Sequence, residues 1–203
     1  MIEKERFLEM FLNVVPPDLG GYLEGNAGGS SIRKIEGQTL YKICSVFQPK
    51  RIVETGTHSG CSTNYLLKYA VENRATVHSF DVVSNAGADI IKDLRSALVL
   101  NKPKRKLWRK DVNLEDIKKT RDMFIETAQR GIDLFFHDSD HRYKNVKWEF
   151  DNITCFMGKG SPVILHDVLN DTANHETHLL FKEVVCSWKH IFDTPSGLGL
   201  IVL

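Results

Sequence analysis

The chain has 203 residues, 42% of them apolar, with 27 Lys plus Arg balanced by 26 Asp plus Glu. That length suits one compact domain with a full core, and the balance argues for no polyanion or membrane partner. No run approaches 18 apolar residues and the opening Met1-Ile2-Glu3-Lys4-Glu5-Arg6 has no signal-peptide pattern, so a cytoplasmic protein is expected.

Residues 2–15 place Phe7, Leu8, Phe11, Leu12 and Val15 at helical spacing, and Pro16-Pro17 stops the run. Residues 18–31 carry Gly20, Gly21, Gly25, Gly28 and Gly29 and read as a loop, either a lid over a site or plain surface. A second helix is expected over 35–48, with Leu40, Ile43, Cys44 and Phe47 on one side. Residues 1–50 would then form a helical cap with its glycine-rich loop, inside one domain spanning 1–203.

Beyond Pro49, strand and helix patterns alternate. A strand at 51–54 ends in Glu54, a turn runs from Gly56 to Gly60, and a helix carrying Tyr65, Leu66, Leu67, Ala70 and Val71 follows. A second strand at 76–80 ends at Asp81, and a helix is predicted over 87–99. A third strand is expected at Leu107-Trp108, ending near Asp111, and a helix over 114–129. The fourth strand, 132–136, runs into His137-Asp138-Ser139-Asp140-His141, and the helix after it uses Val146, Trp148, Phe150 and Ile153. The fifth, 162–165, ends at His166-Asp167; a helix over 175–186 and strands at 188–192 and 198–203 complete the chain. Alternation predicts a mostly parallel sheet covered on both faces. The last two strands have no room for a crossover helix and should be antiparallel neighbours. That makes seven strands, one of them reversed.

Glu54, Asp81, Asp111, Asp138 and Asp167 each follow a strand. In an open parallel sheet all such ends share one rim, where a change in strand order opens a crevice. Five acids there suggest a donor-rich ligand or a cation. Asp81 stands where a carboxylate accepts hydrogen bonds from ribose hydroxyls. The turn Gly56-x-x-x-Gly60 is not the dinucleotide fingerprint, because His58 occupies the place of its middle glycine. A nucleoside without pyrophosphate tolerates that better. The turn and the helix N-terminus after it either meet a ligand or serve only to connect strand to helix. The cysteines Cys44, Cys61, Cys155 and Cys186 have no zinc-like spacing and read as small buried residues. The basic run from Lys102 to Lys110 lacks an aromatic platform and reads as a solvated lead-in rather than a nucleic-acid surface.

Three segments carry a family resemblance: Val53 to Thr63, Phe136 to Tyr143, and Ile164 to Asp167. With the closing Gly197-Leu198-Gly199-Leu200-Ile201-Val202, they resemble the class I S-adenosylmethionine-dependent methyltransferases. The similarity is greatest to small metal-dependent O-methyltransferases and the macrolide-sugar O-methyltransferase group. The resemblance implies a Rossmann-like seven-stranded sheet, mostly parallel, with one antiparallel C-terminal strand. It implies that Glu54, the turn residues Gly56, Thr57, His58 and Gly60, and Ser62 hold the methionine end of the cofactor, that Asp81 holds the ribose, and that Asp111 lies beside adenine. Asp138 is a candidate for both cofactor binding and catalysis.

Carried onto this chain, the family's metal positions are Asp138, His166 and Asp167, with Mg²⁺ or Mn²⁺ as the cation. The chain departs from the family here, having His166-Asp167 where the sugar-modifying relatives have an acidic-Asp pair and the catechol-type enzymes have Asp-Asn. His141 is the candidate general base, since imidazole suits the removal of a hydroxyl proton; the alternative is a histidine bracing its loop. Asn170 and Asn174 are candidate contacts to a polar acceptor. The expected activity is O-methylation of a small-molecule hydroxyl. Metal-independent N-methylation and non-catalytic nucleoside binding are the alternatives. A homodimer through the N-terminal helices is also expected.

Overall fold

The computed structural model describes residues 1–19, 32–58, 60–82, 98–101, 114–172 and 174–203. Six helices and seven strands are described: α1 Lys4–Asn13, α2 Lys34–Phe47, β1 Arg51–Thr55, α3 Cys61–Asn73, β2 Thr76–Phe80, β3 Leu98–Asn101, α4 Leu114–Ala128, β4 Leu134–His137, α5 Tyr143–Thr154, β5 Pro162–Leu165, α6 Thr177–Glu183, β6 Trp188–Phe192 and β7 Leu198–Val202. The strands form one sheet in the order β3-β2-β1-β4-β5-β7-β6. The pairings are parallel except at β7, which runs antiparallel to both β5 and β6.

Strand side chains alternate between two cores, as the pleat requires. Ile52, Leu134, Phe136, Ile164, Leu198, Leu200 and Val202 face one core, which α1, α2 and α3 cover. Val53, Phe135, Val163, Leu165 and Ile201 face the other, beneath α4, α5 and α6. The two N-terminal helices are therefore part of the packing: Phe7 of α1 is fully buried, its ring centroid 5.3 Å from Trp188 and 5.4 Å from Phe47. Gly37 of α2 admits the Tyr65 ring, since a Cβ there would lie 2.1 Å from Tyr65 Cδ2.

One expectation about the third strand is corrected. Leu98–Asn101 forms β3, paired from Val77↔Leu98 to Phe80↔Asn101, where the end of a helix over 87–99 was predicted. Ala97-Leu98-Val99-Leu100 is a short apolar run whose period fits either element, and pairing with β2 decides it. The predicted strand at Leu107-Trp108, Asp111, the basic run and most of the glycine-rich loop lie outside the described residues. Two of the four cysteines also depart from expectation: Cys44 and Cys61 are buried, but Cys155 is exposed just past α5 and Cys186 is half-buried. Among the described residues, no helix is long and apolar enough to cross a membrane.

Candidate active site

β1 pairs with β2 on one side and β4 on the other, so strand order reverses between β1 and β4. Crossovers leave in opposite directions at such a point, and a crevice opens above the carboxyl ends. The loops after β1, β2, β4 and β5 therefore share one rim. Their backbones are joined: Gly56 N–H donates to Phe80 O, Asp138 N–H to Thr55 O, and His166 N–H to His137 O, at 2.8, 2.9 and 3.0 Å.

Gly56 has φ +87°, and a Cβ there would sit 2.0 Å from Asp138 O. The close approach at this glycine is thus to the protein's own backbone. It draws the end of β1 against the end of β4. His58, at φ +40°, donates its backbone N–H to Asp81 Oδ2 at 2.8 Å, which ties the turn to the end of β2. Gly60, at φ +85°, precedes the first turn of α3, whose leading N–H groups have no acceptor within the helix.

Glu54 was expected to reach a ligand and instead is fully buried beneath this turn. Its carboxylate accepts Ser62 Oγ–H at 2.5 Å, Thr63 Oγ1–H at 2.7 Å and Ser79 Oγ–H at 2.5 Å. Thr57 Oγ1 lies 2.6 Å from Ser79 Oγ and extends the network. The physical reason is enclosure: β1, β2 and α3 surround the side chain and supply hydroxyls. Burial pushes the Glu54 carboxyl up to about 7, against the hydroxyl donors that favour its ionised form. The Ser62 and Thr57 side chains likewise turn inward, both buried and bonded within the protein, which leaves their backbone groups on the turn.

Across the rim, five titratable side chains converge. His166 Nδ1 lies 2.9 Å from Asp138 Oδ1 and 3.6 Å from Asp167 Oδ1. His141 Nε2 lies 3.7 Å from Asp138 Oδ1 and 3.2 Å from Asp167 Oδ2. His175 Nε2 is 3.4 Å from the same Asp167 Oδ2. The Asp167 carboxylate thus offers one oxygen to His166 and the other to His141 and His175. Asp167 holds φ +61°, a region uncommon outside glycine but tolerated by aspartate. Burial draws the His141 imidazole down to about 4, with Asp138 and Asp167 opposing, so the ring is neutral at pH 7. Asn170 is half-buried and donates its backbone N–H to Asp167 O at 3.3 Å, while Asn174 is exposed.

Three residues of this neighbourhood escape a reading by sequence alone. Glu149 of α5 is buried under the loop after β4, where it accepts Thr55 Oγ1–H at 2.7 Å and Ser139 Oγ–H at 2.8 Å, and lies 2.7 Å from His137 Nδ1. Burial raises the Glu149 carboxyl, but His137 and the hydroxyls outweigh it and hold it below its ordinary value. Its signal is a carboxylate on the apolar helix face of Val146, Phe150 and Ile153. Glu36 of α2 is fully buried, accepting Arg33 N–H at 2.7 Å and Ser196 N–H at 3.0 Å, with its Oε2 3.6 Å from His166 Nε2. His175 has no local pattern that marks it. Its backbone N–H donates to Thr172 O at 2.9 Å, and its place is set by that turn.

A family model described as a methyltransferase domain matches residues 53–168, more than half of the chain. The chain is a member of that methyltransferase family. The matched region holds the turn after β1, Asp81 and the loops carrying Asp138, His141, His166 and Asp167. Solved methyltransferases share the fold. The O-methyltransferase TomG from Streptomyces achromogenes, involved in tomaymycin synthesis and solved with S-adenosylmethionine, aligns at TM-score 0.64 and 14% identity over 86% of this chain and 82% of that one. An O-methyltransferase from Bacillus cereus with S-adenosylhomocysteine aligns at TM-score 0.64 and 14% identity over 98% and 89%. A methyltransferase from Geobacter sulfurreducens aligns at TM-score 0.63 and 16% identity over 84% and 79%. No curated protein sequence is similar enough to match.

Proposed function

We propose that this methyltransferase moves a methyl group from S-adenosylmethionine to a hydroxyl of a small molecule, with a divalent cation at the acceptor end of the site. The observation that carries this reading is the switch between β1 and β4, which brings the Gly56–Gly60 turn and Asp81 to one rim with Asp138, His141, His166 and Asp167. S-adenosylmethionine supplies an electrophilic methyl on its sulfonium. The turn backbone and the first N–H groups of α3 receive the carboxylate of its methionine end. Asp81 accepts from the ribose hydroxyls, held in register by the His58 N–H. Glu54 acts from beneath, fixing the shape of the turn through Ser62, Thr63 and Ser79.

His141 takes the proton from the attacking hydroxyl, being neutral at pH 7 and set between two carboxylates that stabilise the imidazolium it becomes. Glu149 supports this loop through Ser139 and His137. Asp138, His166 and Asp167 would be the donors for a cation; His166 Nδ1 stands 2.9 Å from Asp138 Oδ1 and 3.6 Å from Asp167 Oδ1, and its buried ring nitrogens make no well-aligned hydrogen bond within the protein. A cation bound there supplies Lewis acidity, lowering the pKa of an acceptor hydroxyl.

The test is direct. Calorimetry with the purified chain is expected to show S-adenosylmethionine binding and no binding of NAD. Incubation with hydroxyl-bearing acceptors should release S-adenosylhomocysteine. A folded protein that binds neither S-adenosylmethionine nor S-adenosylhomocysteine at millimolar concentration would falsify the proposal.

A further inference from the structure

Carboxylates surround the His166 imidazole, and the ring makes no aligned hydrogen bond to any of them. The residue is only 7% exposed. Buried imidazole nitrogens are normally paired, because a shielded polar atom without a partner is costly. The unpaired state here has a specific geometry. Nδ1 faces Asp138 Oδ1 at 2.9 Å and Asp167 Oδ1 at 3.6 Å. An imidazole nitrogen this close to carboxylate oxygens needs a positive species beside it, either a proton on the ring, which Asp138, Glu36 and Asp167 favour, or a cation among them. Two donor atoms bound at right angles to one ion, with bonds of about 2.1 Å, stand roughly 3 Å apart. The 2.9 Å from Nδ1 to Asp138 Oδ1 matches that figure, and the 3.6 Å to Asp167 Oδ1 exceeds it.

The opposite side of the ring is also built. Nε2 lies 3.6 Å from Oε2 of Glu36, a fully buried carboxylate anchored by the backbone N–H groups of Arg33 and Ser196. When Nδ1 binds a cation the ring proton sits on Nε2, and a carboxylate on that side favours this tautomer by its charge, a short step from the hydrogen bond that orients a ligating histidine. Two more imidazoles crowd the other oxygen of Asp167. His141 and His175 stack with ring centroids 5.1 Å apart and present their Nε2 atoms at 3.2 and 3.4 Å. Mg²⁺ and Ca²⁺ favour oxygen donors, whereas imidazole nitrogen favours first-row transition ions.

We propose that His166 makes this site select a first-row transition-metal ion, such as Mn²⁺, Fe²⁺, Co²⁺ or Zn²⁺, over Mg²⁺ and Ca²⁺, with Glu36 holding the imidazole in its ligating orientation. The inference rests on the cation reading given above. It does not depend on the identity of the methyl acceptor.

The experiment uses the full chain, stripped with a chelator and checked by circular dichroism. Co²⁺ binding is followed by its visible ligand-field absorption with Mg²⁺ as competitor, and S-adenosylmethionine binding is measured separately by calorimetry. The wild-type protein is expected to keep Co²⁺ against about a hundredfold excess of Mg²⁺. In His166→Asp the preference should shift toward Mg²⁺ by roughly tenfold or more. Glu36→Gln should weaken Co²⁺ by about 10- to 100-fold without changing the order of preference. Displacement of Co²⁺ by comparable Mg²⁺ in the wild type overturns the inference, as does an unchanged preference in a folded His166→Asp protein. The wild-type competition decides the matter even where that variant does not fold. If neither ion binds the wild type, the cation reading itself falls, while the calorimetric result judges the methyltransferase reading on its own.

Discussion

Two groups of acids stand at the same rim and are handled in opposite ways. Glu54 is closed in by three hydroxyl donors. Asp138 and Asp167 meet imidazoles at 2.9 to 3.7 Å. A hydroxyl donates or accepts with equal ease, so the Glu54 pocket is satisfied whether its carboxyl is ionised or protonated. Imidazoles and carboxylates have no such freedom. Their cluster depends on where a positive charge sits. The first arrangement suits a fixed support, and the second suits chemistry in which protons and cations come and go.

The sharpest way to break this contrast is to remove one member of the open cluster. His141→Ala is expected to lower methyl transfer by about 10²–10⁴-fold while the melting temperature and S-adenosylmethionine affinity change little. A steady-state assay beside calorimetry checks this; equal losses of rate and of fold would erase the distinction.

At the joint between the two groups, Gly56→Ala should destabilise the protein by about 4 kcal/mol or more. The new Cβ would meet Asp138 O at 2.0 Å, and the backbone φ of +87° is itself unfavourable for alanine. Denaturant titration measures it, and a wild-type midpoint would mean that the rim is not so tightly joined.

The closed pocket has a pH signature. The Glu54 carboxyl lies at about 7 in the folded protein against 4.5 as its ordinary value, so the folded state holds the proton more tightly. Stability from this group is therefore fully present below about 4.5 and is lost as pH rises through about 7, a change on the order of 3 kcal/mol. Glu54→Gln should flatten that part of the stability curve. An unaltered slope in the variant would mean that other groups govern this range.

The smallest effect concerns the cofactor end. Asp81→Ala removes a charged acceptor for ribose and should weaken S-adenosylmethionine by roughly 10- to 100-fold, the range of one hydrogen bond to a charged group. Affinity within twofold of wild type would assign Asp81 to the turn alone, through His58 N–H.

Much of this arrangement is legible along the chain. The run Arg51 to Gly60 reads as strand and glycine turn because its apolar segment is short and its glycines are well spaced. The pairing of β6 with β7 follows from the short link at Pro195-Ser196-Gly197, which leaves no space for a crossover. The strand Leu98–Asn101 is not legible because the short apolar run Ala97–Leu100 fits either period. Glu54 is legible as the residue ending a strand, but a strand end does not say whether its side chain faces solvent or protein, and here three hydroxyls enclose it. Asp138 and Asp167 are legible because they end neighbouring strands that share a rim, and His166 is marked by the family resemblance. His175, Glu36 and Glu149 are not legible, since each reaches its partners through contacts distant in sequence.

Strand periodicity, turn residues and family-matching segments are local properties, and from them the amino-acid order by itself determined a doubly covered, mostly parallel sheet with acids along one edge. Only the tertiary structure decided which of those acids are enclosed by hydroxyls and which face histidines. That choice depends on which helix covers each strand end and which oxygen points inward. The Glu36–His166 approach, for instance, joins α2 to the end of β5 across 130 residues of chain, a separation at which neither side chain's neighbours carry any trace of the other.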